Sequence, residues 1–257
     1  ISFFAFTATP KQKTIELFCE KRDGEYQPFD SYTMEQAIKE GFICDVLSNY
    51  TSFKRYFKLV QKNGVDDKEY ERQKTVRLLA NYVDLQDSAI ERKARIMLED
   101  FVANTASKIQ GRARAMVVTR SRLHAVRFKR WFDTIMREMN LPYEALVAFS
   151  GTVYDPDTNQ EYTETSMNHL EGLTDIALAF KLPKYRILIV AEKYQTGFDE
   201  PLLHTMYVDK QLGDISAVQT LSRLNRTCRG KDSTSVGLSI PLHSLFISCI
   251  FLLSTII

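Results

Sequence analysis

The chain has 257 residues, 44% of them apolar, and its 34 Lys and Arg against 32 Asp and Glu leave a formal net charge of +2. That length allows one large domain or two small ones, and that apolar share can supply a sizeable core. So balanced a charge names no polyanionic partner. Four scattered cysteines (Cys19, Cys44, Cys228 and Cys249) and four dispersed histidines, with no CxxC pair, suggest no metal site. The thiols read as free residues of a reducing compartment. With no secretory leader pattern in the first residues, the expected location is cytoplasmic.

In chain order, ISFFAF (1–6) reads as a buried strand that ends in the hydroxyl-rich loop TATPK. A short amphipathic piece and a turn-rich segment around Gly24 and Pro28 follow. Thr33 and Gln36 have the Thr-x-x-Gln spacing of a capping box and predict a helix start. Tyr50, Phe53, Tyr56 and Phe57 recur at helical spacing, as an aromatic packing stripe does. Residues 66–108 are charge-dense and helical in pattern. Ile90, Ala94, Met97, Leu98, Phe101 and Val102 mark one apolar face, and the charged residues are expected to solvate the other.

From residue 115 short apolar runs alternate with helical stretches. AMVV (115–118) precedes SRLHAVRFKRWFDTIMREM, and ALVAFSG (145–151) precedes a polar insertion, YDPDTNQ. RILIV (186–190) leads into AEKYQTGFDEP, and TMYVD (205–209) leads into a helix expected over 215–225. Continuous apolar strands separated by crossover helices predict an α/β fold with a parallel sheet covered on both faces. Ligands of such sheets bind at the C-terminal strand ends, which points to Thr119–Arg122, Ser150–Gly151 and Gln195–Asp199. After Asp232 no charge appears. The last 20 residues, LSIPLHSLFISCIFLLSTII, would just span a bilayer, but Pro241, His243 and five hydroxyl residues count against it.

Three constellations could carry chemistry. On one helix Gln219, Arg223 and Arg226 would fall within about 60° of one another, with Ala217, Leu221 and Leu224 nearly opposite. No acidic residue lies in 215–231 to pair with the arginines, and Arg suits bidentate phosphate binding. A merely solvated face is the alternative. In TGFDEP, Gly197 permits close backbone approach or positive φ, while Thr196 and Asp199 offer a hydroxyl and a carboxylate. In VVTRSR, Thr119 and Ser121 end a strand, and Ser121 fits as an N-cap. The helix N-terminus with Arg120 and Arg122 would suit a nucleic-acid phosphate. Phe128, Trp131, Phe132, Ile135, Met136 and Met139 read as core, and Arg127, Lys129 and Arg130 as solvated.

TATP, VVTRSR, FSG, QTGFDEP and QTLSRLNRT stand in the order of superfamily 2 helicase motifs III to VI. With the linker PFDSYTMEQAIKEGFICDVLSNYTSF, the chain resembles the motor (R) subunit of type I restriction enzymes over nearly all of residues 1–234. The resemblance implies a RecA-like parallel sheet with flanking helices, the second motor domain, preceded by a largely helical linker. The implied division is 1–20 for the end of motor domain 1, 21–110 for the linker, 111–234 for motor domain 2 and 235–257 for an apolar tail.

It further implies that Thr7 and Thr9 couple nucleotide state to domain movement, and that Thr119, Arg120 and Thr196 lie near the DNA backbone. Gly197 and Asp199 would face DNA and nucleotide. Gln219, Arg223 and Arg226 would point at ATP phosphates across the interdomain cleft, with Arg226 as arginine finger. ATP and Mg²⁺ would serve the complete subunit, and double-stranded DNA and the specificity and methylation subunits would be its partners. The sequence has no GxxxxGK[ST] loop and no Asp-Glu pair at a strand end for Mg²⁺. With most of motor domain 1 and the nuclease domain also missing, this chain alone is expected to be inactive. The tail departs from the family and reads as truncated or frame-shifted from about Ser235, with a membrane anchor less favoured. The alternatives are a non-enzymatic DNA-binding fragment and an inactive degenerate gene product.

Overall fold

The computed structural model describes residues 12–22, 25–45, 50–52, 85–168, 170, 175–194 and 197–238. The strand expected over 1–6, Thr7, Thr9, Thr196, the side chains of the aromatic stripe and the tail from 239 on lie outside them.

The strands in chain order are β1 (Glu20–Arg22), β2 (Glu25–Gln27), β3 (Tyr50–Ser52), β4 (Arg114–Thr119), β5 (Glu144–Ala148), β6 (Val153–Asp155), β7 (Gln160–Tyr162), β8 (Tyr185–Val190), β9 (Leu203–Asp209) and β10 (Ser235–Leu238). Six of them form one sheet in the order β3-β10-β9-β4-β8-β5, every pair parallel. β1–β2 and β6–β7 are separate antiparallel hairpins.

The expected two-sided burial holds. All of β4 and all of β9 are buried. Because side chains alternate along a strand, Met116, Val118, Leu146, Leu188, Val190, Met206 and Val208 share one core. Ala115, Val117, Val147, Ile187, Ile189 and Tyr207 share the other. The second core is covered by helices Asp87–Asp100 and Arg122–Glu138. Ala217, Leu224, Phe198 and the short helix Ile176–Ala179 cover the first. Both predicted caps form. Thr33 and Gln36 make the reciprocal capping box, and Ser121 accepts from the His124 amide at 3.4 Å.

Four expectations need correction. Val102 is 38% exposed although Phe101 beside it is fully buried. Helix Asp87–Asp100 widens into a π-turn over Phe101–Thr105, closed by the Ala106 amide on the Phe101 carbonyl at 2.7 Å. That insertion rotates the apolar stripe past Val102. Second, Lys93, Arg127 and Lys129 are buried rather than solvated. Each meets a carboxylate: Lys93 on Asp209 at 2.8 Å, Arg127 on Asp155 at 2.6 Å, and Lys129 on Asp133 at 2.6 Å. Third, the region read as a largely helical linker contributes β3 to the main sheet and packs helix Asp87–Asp100 into its core, so a cut at residue 110 divides one packed unit. Fourth, Ser235–Leu238 are not foreign to the fold. They form β10 between β9 and β3, with Val236 buried. Among the described residues no helix is long and apolar enough to cross a membrane.

The outer edge of β5 is closed by side chains. The Val147 amide donates to Asn168 Oδ1 at 2.8 Å, Asn168 Nδ2 donates to the Val147 carbonyl at 2.7 Å, and the Phe149 amide donates to Glu164 at 3.1 Å. An open edge strand exposes unpaired backbone groups, and these residues occupy them. Asn168→Ala should therefore lower the unfolding free energy by about 2 kcal/mol, since a buried amide loses its partner, as read by urea denaturation.

His204 is buried in β9, its Nδ1 against Thr205 Oγ1 at 2.9 Å. Burial first, and then the positive charges of Lys231 and Lys108, pull its pKa from 6.5 down to about 4. Above pH 6.5 the folded and unfolded chains both hold it neutral, so it adds no pH dependence there. As pH falls from 6.5 to about 4 the unfolded chain takes up a proton that the folded chain refuses, and stability drops. His204→Leu should remove about 3 kcal/mol of that loss, measured by denaturation at pH 7, 5.5 and 4.

Candidate functional site

The parallel register fixes two rims. Arg114 pairs with Leu203 at one end of β4 and β9, and Thr119 pairs with Asp209 at the other. The rims are roughly 20 Å apart, the rise of a seven-residue strand. Because β8 and β9 flank β4, residues 191–202 must run from the C-terminal end of one strand to the N-terminal start of the other. TGFDEP is therefore not simply a C-terminal strand-end loop. Asp199 comes down beside the start of β9.

At the C-terminal rim Thr119 is fully buried, and its hydroxyl donates to the Val190 carbonyl at 3.0 Å and the Ser121 carbonyl at 3.2 Å. This side chain ties β4 to β8 and shapes the loop, so it is not presented to a ligand as the sequence suggested. Arg120 is half-buried. Exposed Arg122 reaches across to donate to the Ser150 carbonyl at 2.9 Å. Gly151 has φ +76, and a Cβ there would lie 3.2 Å from Arg122 Nη1. The loops VVTRSR and FSG thus meet at the N-terminus of helix Arg122–Glu138.

Near the N-terminal rim the arginine row takes a different shape from the one expected. The α-helix covers only Asp214–Leu221, and Ser222–Asn225 tighten into a 3₁₀ turn. Arg226 is extended, with φ −61 and ψ 128, and Ile43 bridges to it antiparallel. Gln219, Arg223 and Arg226 therefore do not form one helical row. They come together in another way. Arg223 is half-buried, its Nε donating to the Gln219 carbonyl at 3.3 Å and its Nη1 to the Phe198 carbonyl at 3.2 Å. Arg226 Nε meets Asp199 Oδ1 at 3.1 Å, with the two side chains 54% and 67% exposed. The local partner that 215–231 lacked comes from 27 residues upstream in the sequence.

Burial, and next the neighbouring Arg226 cation, lower the Arg223 pKa, while Asp199 opposes them. Two neighbouring guanidinium groups, only one of them paired with the carboxylate of Asp199, make a local positive field that an added anion would relieve. With its Nε on Asp199, Arg226 has no other partner among the described residues for its Nη groups, the end of the fork that binds carboxylate or phosphate. Gly197 has φ +72 and nothing within 4 Å of a would-be Cβ, so its glycine serves the backbone conformation and not a close contact.

Residues 147–238 match the family model for type I restriction enzyme subunit R domain 3. A type I restriction enzyme endonuclease subunit of Methanocaldococcus jannaschii is 29% identical over 249 residues, covering 90% of this chain and 22% of the relative. The HindI endonuclease subunit of Haemophilus influenzae is 26% identical over 264 residues, covering 95% of this chain and 23% of the relative. The chain thus spans about a quarter of the length of these relatives. In fold it is similar to a fragment of an R (HsdR) subunit from Vibrio vulnificus YJ016, with a TM-score of 0.58 at 16% identity, covering 91% of this chain and 38% of that one. The sheet and its flanking helices are RecA-like. The order of motifs, the domain match over 147–238 and the relatives that align with nearly the whole chain point the same way: the chain is similar to part of the R subunits of type I restriction enzymes.

Proposed function

We propose that this chain supplies one face of the ATP site, and part of the DNA track, of an ATP-driven double-stranded DNA translocase within a restriction endonuclease. The observation that carries the reading is the meeting of Asp199, Arg223 and Arg226 at one exposed spot. The donor set fits a triphosphate. Arg223 is fixed by two backbone carbonyls, and Arg226 is extended and held by a single exposed carboxylate.

In this reading Arg226 exchanges Asp199 for phosphate oxygens when a facing lobe closes, and stabilises charge on the transferring phosphoryl group. Arg223 holds the Phe198 carbonyl and so keeps the 197–199 turn in register with it. Gln219, one helical turn before Arg223, completes the motif. ATP would supply the phosphoryl group, and Mg²⁺ in the complete subunit would offset its charge. Among the described residues no cluster of His, Cys, Asp or Glu could hold a metal ion, so the reading assigns both the triphosphate grip and Mg²⁺ to the rest of the subunit. Thr7 and Thr9 are assigned the coupling of the two lobes, and Thr196 a DNA-backbone contact.

At the other rim, Arg120, Arg122 and the N-terminus of helix Arg122–Glu138 would contact backbone phosphates without reading sequence. Thr119 would set that loop from beneath. Sequence choice would then belong to the specificity and methylation subunits. The segment 191–202 joins the two rims, which gives the reading a physical route between nucleotide and DNA.

In the complete subunit, Arg226→Ala should lower kcat for DNA-stimulated ATP hydrolysis by about 10³-fold with DNA binding unchanged. Normal turnover would remove Arg226 from the mechanism. The chain on its own should hydrolyse no ATP with DNA present, and any DNA-stimulated phosphate release would refute that. Its binding to duplex DNA, followed by fluorescence anisotropy, should weaken with a log–log salt slope of about −2, as two phosphate contacts give.

A further inference from the structure

Arg226 lies beyond the end of its helix, so no helical hydrogen-bond ladder fixes its position. Besides the antiparallel bridge to Ile43, its backbone is tied by a lysine that the motif does not include. Lys231 is 7% exposed. Its Nζ donates to the carbonyls of Arg226 at 2.6 Å, Leu203 at 2.7 Å, Leu224 at 2.8 Å and Pro201 at 3.3 Å. An ammonium has three hydrogens, so the three shorter bonds take them and Pro201 shares. The carbonyls come from the end of the 191–202 connection, the start of β9 and the 3₁₀ turn with the residue after it.

The local sequence makes this possible. Cys228–Lys231 is a reverse turn, with the Lys231 amide on the Cys228 carbonyl at 3.1 Å. Gly230 at φ +84 takes the left-handed position that a glycine serves best there. The turn carries the side chain back beneath Arg226. Carbonyls at a helical C-terminus lack intrahelical donors and favour a cation.

We infer that Lys231 is the positioning residue for Arg226, holding its backbone, and through Pro201 the Asp199 turn, in one frame. The inference rests on the reading of Arg226 as a phosphate-facing residue. Lys231 touches no substrate and acts only through the residues it ties. A lysine that merely stabilised the fold would leave the same four carbonyls satisfied, but its loss would not be confined to turnover.

The test uses the complete R subunit and DNA-stimulated ATP hydrolysis. Lys231→Met should lower kcat by at least 30-fold, with KM for ATP and affinity for duplex DNA each within twofold of wild type. In the Arg226→Ala background, Lys231→Met should cost less than a further twofold, because both changes disable the same group. A single-variant kcat within threefold of wild type would overturn the inference. So would losses that multiply in the double variant, or a loss of DNA affinity matching the loss of turnover. If Lys231→Met does not yield a cooperatively melting subunit, Lys231→Gln, which keeps two donors without the charge, is read by the same criteria. An inactive Arg226→Ala beside an active Lys231→Met sinks this inference alone. A fully active Arg226→Ala sinks it together with the functional reading.

Discussion

Parallel pairing of β4 with β8 on one side and β9 on the other is the constraint on which the candidate site depends. Parallel neighbours cannot be joined by a tight turn. The chain leaving β8 at Val190 must therefore cross a face of the sheet before it can begin β9 at Leu203. Phe198 and Tyr194 pack that crossing onto the core. Asp199 and Pro201 arrive beside the 3₁₀ turn because the connection ends there, and the ion pair with Arg226 follows from topology and not from nearness in sequence.

Charge is used in two ways in this molecule, and burial separates them. Arg127 with Asp155, Lys93 with Asp209 and Arg114 with Glu200 are all enclosed. Removing one member of such a pair strands the other in a poorly solvating interior, at a cost of about 3–5 kcal/mol. They hold the β6–β7 hairpin, helix Asp87–Asp100 and the start of β9 in place. The Arg226–Asp199 pair is largely in solvent. Exposed pairs are worth about 0–1 kcal/mol, so this one can be traded for an incoming anion at little energetic loss. Only weakly held partners leave an arginine available.

The sheet was legible because β4, β8 and β9 are near-continuous apolar runs between helical stretches, a pattern that a doubly covered parallel strand requires. The capping residues Thr33 and Ser121 were legible because their signal is local. What could not be read was set by partners far along the chain. A search of 215–231 for an acid could not find Asp199, and the helical wheel could not foresee a 3₁₀ turn that takes Arg226 off the helix. Arg127 read as solvated because its carboxylate sits in a hairpin 28 residues on. Ser235–Leu238 read as part of a foreign tail because its apolar residues look the same whether they face β9 and β3 or nothing. Lys231 stood in view as the last letter of QTLSRLNRTCRGK, but only the three-dimensional turn shows what its ammonium meets.

The place of β10 has a consequence for how the molecule is made. It lies between β9 and β3, and its Val236 is in register with Tyr50, about 186 residues earlier. On the ribosome, β3 therefore emerges long before the strand that will flank it. Its backbone must wait, unpaired on that side, until nearly all of the described chain has been synthesised. Contacts so distant in sequence are slow to form. A nascent chain halted short of Leu238 would leave one margin of β9 and the whole of β3 without a partner strand, and each would be an invitation to a neighbouring polypeptide.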